Sequence, residues 1–221
     1  MVRSMAHAAL RSFEACGRPI GTLVFAAGML AAAVPFVRAT AGIVPEVYRV
    51  DPDLTDAQFA VGHMGMSMQR GHFGRTRGTI VLDPESHTGR IDFVVDATSV
   101  DTGWAARDAF LRGEDMFDAA HYPVVRFRST RLTFDSARLI AVAGELTMHN
   151  VTRPVELHVA RLDCGKDPDS GREGCGAEVD ATIRRSDFGM SYALGMVGDD
   201  IGLSFQVTAF RVPPDGEEGA P

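Results

Sequence analysis

One pattern constrains this chain more than any other. Apolar and polar side chains alternate with period two in run after run between residues 47 and 211, and the alternation lapses over a single stretch. A strand sends successive side chains to opposite faces, so such runs bury one face each only by joining a sheet that wraps a core. Residues 56–63 place Ala57, Phe59, Val61 and His63 on one face. Residues 90–100 set Ile91, Phe93, Val95 and Ala97 against Asp92, Asp96 and Thr98, and residues 124–134 set Val125, Phe127 and Ser129 against Arg126, Arg128 and Thr130. Further strands are predicted at 47–50, 70–82, 139–148, 151–162, 175–185 and 201–211, the last with Ile201, Leu203, Phe205 and Val207 together. The longest uninterrupted candidate, 70–82, contains Gly71, Gly74 and Gly78, glycines that let a strand bend at a barrel corner. Eight or nine strands joined by short turns favour antiparallel pairing, and closure removes the exposed edges. The expectation is an all-β, eight-stranded antiparallel β-barrel, wide enough to be filled by side chains or to hold one slim ligand.

The lapse falls at residues 104–123, WAARDAFLRGEDMFDAAHYP. Good helix formers run from Ala105 to Arg112, with Asp101 or Thr102 as a start cap and Gly113 as a left-handed stop. Asp108 and Arg112 stand four apart, acid first, as a helical pair. A helix of two to three turns is unstable alone, so Trp104 and Leu111 are expected to form its contact stripe. It either closes one end of the barrel or also frames the mouth of a cavity.

Residues 1–41 read as a secretory signal peptide: Arg3, Arg11 and Arg18, an apolar run from Ile20 to Val37, then Ala39-Thr40-Ala41. The alternative is an uncleaved anchor, since the run approaches the length of a membrane span. The barrel domain is assigned to 42–212 and a disordered tail to 213–221. Four of the 22 basic and one of the 29 acidic residues lie before residue 42, leaving 18 against 28 and a net charge of −10. That balance argues against nucleic acid and against electrostatic adsorption to an anionic membrane. The remaining cysteines, Cys164 and Cys175, flank a polar loop with no further metal ligands near them. In an oxidising compartment they are expected to form a disulfide across a hairpin, which supports the export, to the periplasm or outside the cell, that the signal peptide predicts.

Four segments resemble the YceI-like family: FAVGHMGMSMQRGHFG (59–74), RDAFLRGEDMFDAAHYPVVRFRS (107–129), GELTMHNVTRPVEL (144–157) and RRSDFGM (184–190). The resemblance runs from about residue 48 to residue 211. It implies an exported polyisoprenoid-binding protein with a lipocalin-like barrel, an elongated apolar lumen for an isoprenoid or quinone-type tail, no cofactor and no catalytic activity. The cysteine pair resembles that of a subset of members. Phe110 stands where the family usually carries a histidine, so any headgroup contact from that histidine is absent here.

Under this reading Phe59, Val61, Phe73, Phe93, Phe110, Leu111, Phe127 and Phe205 are candidate wall residues, and His63, Arg107 and Arg112 candidate polar groups at the mouth. Each polar group also has a structural reading. His63 is then a hydrogen-bonded core histidine, Arg107 pairs with Asp108 or Glu114, and Arg112 pairs with Asp108. Arg184 and Arg185 beside Asp187 read as an ion-pair cluster. A second hypothesis takes Met64, Met66 and Met68 as one strand face offering thioethers to Cu(I), with core or lipid-facing methionines as the alternative. Enzyme readings are weak, because Gly65-Met66-Ser67-Met68-Gln69 lacks the final glycine of a nucleophile elbow and Asp187-Phe188-Gly189 has no kinase context. A homodimer and transient contacts with membrane proteins complete the expected partners, with no nucleic acid.

Overall fold

The computed structural model describes residues 45–83 and 85–213. The expected signal peptide and all but the first residue of the expected tail lie outside them. The barrel belongs to one compact unit, Gly42–Pro221.

Eleven strands form one antiparallel sheet: β1 Glu46–Val50, β2 Asp56–His63, β3 Ser67–Phe73, β4 Thr76–Asp83, β5 Thr88–Asp96, β6 Val100–Asp101, β7 Val124–Asp135, β8 Arg138–Met148, β9 Val151–Lys166, β10 Glu173–Arg184 and β11 Val197–Arg211. Eight of them, in the order β1-β4-β5-β7-β8-β9-β10-β11, close into a barrel when β11 returns to pair with β1. The long β11 divides its free edge. Its last residues, Ala209 to Arg211, pair with β1, and its first part pairs with β2, which carries β3 and β6 beyond the ring. Closure leaves the eight ring strands without an unpaired edge over most of their length.

The predicted inner faces are inside. Phe93, Phe127, Val142, Leu146 and Val159 meet within the barrel. Two close approaches need glycine: a Cβ at Gly71 would lie 2.5 Å from the Phe59 ring, and one at Gly144 2.4 Å from Phe127 and from the Arg128 carbonyl. Each glycine thus lets a phenylalanine lie across the neighbouring strand.

Four local expectations are corrected. The single strand at 70–82 is two, β3 and β4, because the chain turns at Gly74–Arg75 where it is tied to Ser99. Met64, Met66 and Met68 do not share a strand face. Met64 (φ 54°) and Gly65 (φ 67°) are left-handed, so the first two methionines sit in the β2–β3 turn and only Met68 is on a strand. The helix, α1, spans Ala105–Leu111. It has no side-chain cap, and right-handed Arg112 ends it, with the Gly113 amide bonded to the Phe110 carbonyl. The Asp108–Arg112 pair is absent as a contact, since Asp108 reaches back to accept from the Thr102 amide at 2.8 Å and from its hydroxyl, while Arg112 donates to the Val100 carbonyl at 3.2 Å.

The loop between β9 and β10 is only residues 167–172, and Cys164 and Cys175 face each other directly across the two strands, joined as a disulfide.

Candidate functional site

Alternation along the ring strands aims Ile91, Phe93, Val155, Leu157, Leu203 and Phe205 inward, and these side chains do not fill the barrel. The space between them is a lumen of two adjacent chambers, about 290 Å³ and 130 Å³. Phe93, Phe127, Leu146, Leu203 and Phe205 line both, so they form the waist between them. Phe93 and Phe205 meet there edge to face, with centroids 5.9 Å apart.

The smaller, lower chamber ends among Tyr48, Leu82, Leu139, Leu162 and Cys175. Its one side-chain hydroxyl, that of buried Tyr48, donates to Glu46 at 2.8 Å. Burial first, and then that carboxylate, push the phenol up to about 12. The lower end is therefore neutral and apolar at any physiological pH.

The upper chamber is different. Phe59, Val61, Phe73, Phe110 and Leu111 form apolar wall, joined by Met116 and Phe117 from the segment after α1. Among them come His63, Gln69, Arg70, Thr102, Arg107 and Arg185. The apolar wall reaches the surface between α1 and the segment before β11, where Phe110, 41% exposed, packs 5.1 Å from the ring of Tyr192, which marks this side as the mouth.

Nearly all the predicted site residues line this space: Phe59, Val61, His63, Phe73, Arg107, Phe110 and Leu111 the upper chamber, and Phe93, Phe127 and Phe205 both. Arg112 does not line it. Arg107 pairs with neither predicted acid. It donates to the Thr102 hydroxyl and carbonyl, each at 2.8 Å, and to the Gln69 side-chain oxygen, which ties α1 to β3. Asp108 anchors the same joint from the other side, and the Thr102 hydrogen bonds hold its carboxyl below the usual carboxylate range. Trp104, expected to pack with Leu111, is instead 62% exposed, with the Arg107 guanidinium 5.7 Å from its ring centre.

Sequence reasoning missed Arg185. The expected cluster splits: Arg184 takes Asp187 with two hydrogen bonds on the outside, and Arg185 turns inward, 2% exposed. Its guanidinium donates to the carbonyls of Met190, Val197 and Gly198 at 2.8–3.0 Å. Burial lowers its pKa from the ordinary arginine value. Strand parity was the available signal, because Val179, Ala181, Ile183 and Arg185 fall on one face of β10 and its continuation. By fixing three carbonyls, Arg185 holds residues 190–198, and with them Tyr192, beside the mouth.

Among the described residues there is no cluster of three or more His, Cys, Asp or Glu arranged to hold a metal. The arrangement suits binding: a long apolar slot whose polar atoms gather at one end.

The model of the YceI-like domain matches residues 48–209. "Protein YceI" of Escherichia coli O157:H7 is 32% identical over 163 residues, 72% of this chain and 84% of that protein. A crystal structure of the YceI protein of Campylobacter jejuni superposes with a TM-score of 0.58 at 28% identity, covering 67% of this chain and 88% of that one. A polyisoprenoid-binding domain from Saccharophagus degradans, implicated in plant cell wall breakdown, shares the fold, with a TM-score of 0.57 at 18% identity and coverage of 74% and 98%.

Proposed function

The chain belongs to the YceI-like family, and from that premise we propose that it is an exported binding protein, not an enzyme, that carries or stores an isoprenoid lipid in its lumen. The observation that carries this reading is the pair of chambers sharing the Phe93–Phe127–Phe205 waist, apolar throughout below and polar only near the mouth. A prenyl tail lying along both chambers gains about 0.8 kcal/mol per buried CH₂. Ordering the tail and withdrawing it from its previous host take back much of that gain. The headgroup rests at the upper end, within reach of Gln69, His63 and Arg107, because the lower end offers a buried tail no hydrogen bond beyond Tyr48. The name of the Saccharophagus domain supports the same ligand class. The disulfide supports an oxidising, extracytoplasmic compartment.

The test is mass spectrometry of an organic extract of the protein purified from its native host. A co-purifying prenyl or quinone-type lipid near one per chain is expected. A lipid-free extract, or copper at one per chain, contradicts the reading.

A further inference from the structure

The large apolar side chains that this fold leaves exposed are concentrated in one place. Among the described residues, all except Leu54 and Val124 come from three segments, 63–70, 104–113 and 190–197. Contacts join the three. The Met64 amide donates to the Met196 carbonyl at 2.6 Å, Phe110 packs on Tyr192 at 5.1 Å, and Arg107 bridges Trp104 to Gln69, the neighbour of Met68. All three segments also contribute wall to the upper chamber, so the exposed groups form a rim around its mouth. Met66, at the tip of the β2–β3 turn, is 79% exposed.

The three rim segments are poor in carboxylates. The chain as a whole is acidic, at −7, yet the three segments contain one carboxylate, that of Asp108, which is buried and held by Thr102. They also carry Arg70, Arg107 and Arg112. Arg107 and Arg112 spend their hydrogen bonds on neutral acceptors, and Arg70 is exposed. Withdrawing the rim from water therefore desolvates no exposed carboxylate within these segments, a step that costs several kcal/mol per ion elsewhere on a protein. Trp104 and Tyr192 are the residue types that settle at a lipid–water boundary, and the methionines adapt to an irregular apolar surface. The Arg185 hydrogen bonds hold the 190–197 segment in place, so little ordering cost remains on docking.

We propose that this rim docks on the surface of a phospholipid bilayer with anionic headgroups, mouth against the membrane, so that a lipid enters or leaves the lumen without crossing water. A second copy is the poorer occupant, because pairing rim to rim sets arginines against arginines with no exposed carboxylate from these segments to separate them. The cargo in this statement rests on the lumen reading; the docking does not.

Trp104 is the only tryptophan in the chain, so its emission reports on the rim alone. The barrel unit beginning at Gly42 is mixed with vesicles of phosphatidylethanolamine and phosphatidylglycerol. Emission is expected to shift to the blue and to be quenched by lipids brominated near the top of the acyl chain. A single variant combines Met64→Ser, Met66→Ser, Leu194→Ser and Met196→Ser, and none of these four residues lines either chamber. It is expected to weaken partitioning by about tenfold or more, with the thermal melt and the extracted lipid unchanged. If that variant melts early, Met66→Ser alone and the quenching of the unaltered protein decide. An unshifted Trp104, undiminished partitioning of the variant, a lipid-free dimer that the variant splits, or docking only on vesicles that carry membrane proteins each overturn the proposal. Docking by a protein whose extract is free of lipid ends the cargo reading and leaves the rim standing; a lipid-loaded protein that ignores vesicles does the reverse.

Discussion

At the lower end of the lumen Leu139, Val142 and Val159 are sealed between neighbouring ring strands, each less than a tenth exposed. At the upper end Phe110 and Tyr192 pack on each other with much of their surface in water. The residue types are alike, but the wall behind them is not. The lower chamber is bounded by strands of the closed ring, whose backbone groups are spent on one another, and by the cross-strand disulfide. The upper chamber is bounded by β2, β3, a seven-residue helix and a segment fixed by one buried arginine. On the proposed function, apolar lining serves stability below and access above, and substitutions of one kind should have different consequences at the two ends.

The largest contrast is between two phenylalanines. Phe127→Ala, at the 6%-exposed waist, is expected to cost about 3–5 kcal/mol. Phe110→Ala at the mouth should cost about 1 kcal/mol, while lipid is released faster. Denaturant melts beside a lipid-release assay separate the two, and equal losses of stability would show that the mouth is as closed as the waist. Next in size is the disulfide. Removing it with serine at both Cys164 and Cys175 is expected to cost about 3 kcal/mol in the chain-entropy model, with bound lipid retained at temperatures where the barrel stays folded. Gly144→Ala drives a Cβ into the Arg128 carbonyl and the Phe127 ring and should cost about 1–3 kcal/mol. Gly176→Ala, with nothing within 4 Å, should stay within about 0.5 kcal/mol of the wild type.

The smallest effect is read by pH. The carboxyl of Asp108 is held below its ordinary value by Thr102, so its contribution is complete above the unfolded carboxylate value of about 3.9. That contribution fades as pH falls through the lower folded value. Asp108→Asn should therefore separate from the wild type in melts near neutrality and converge with it in acid. A gap that widens on acidification would mean that the carboxylate is not what joins α1 to Thr102.

The ring was legible in the sequence because period two is a direct image of the backbone: the inner faces at 56–63, 90–100, 124–134 and 201–211 all lie inside. Resemblance to known proteins added that the interior is a lumen, which periodicity does not distinguish from a packed core. What escaped was set by single backbone states or by long-range partners. Left-handed Met64 and Gly65 removed the methionines from a strand face. The turn at Gly74–Arg75 is held by Ser99, 24 residues from Arg75. Helix propensity located α1, but its anchoring depends on Thr102, Gln69 and Arg107 meeting in space. Arg185 obeyed strand parity, yet a charged side chain facing an apolar lumen becomes acceptable only when three carbonyls of a distant segment are there to receive it.

A crystal structure of the barrel loaded with a long-chain prenyl lipid tests the central claim most directly. The account predicts tail density running from the upper chamber past Phe93, Phe127 and Phe205 into the lower one, with the headgroup beside Gln69 and Arg107. A headgroup at the Tyr48 end, or lipid held outside an empty lumen, would contradict it.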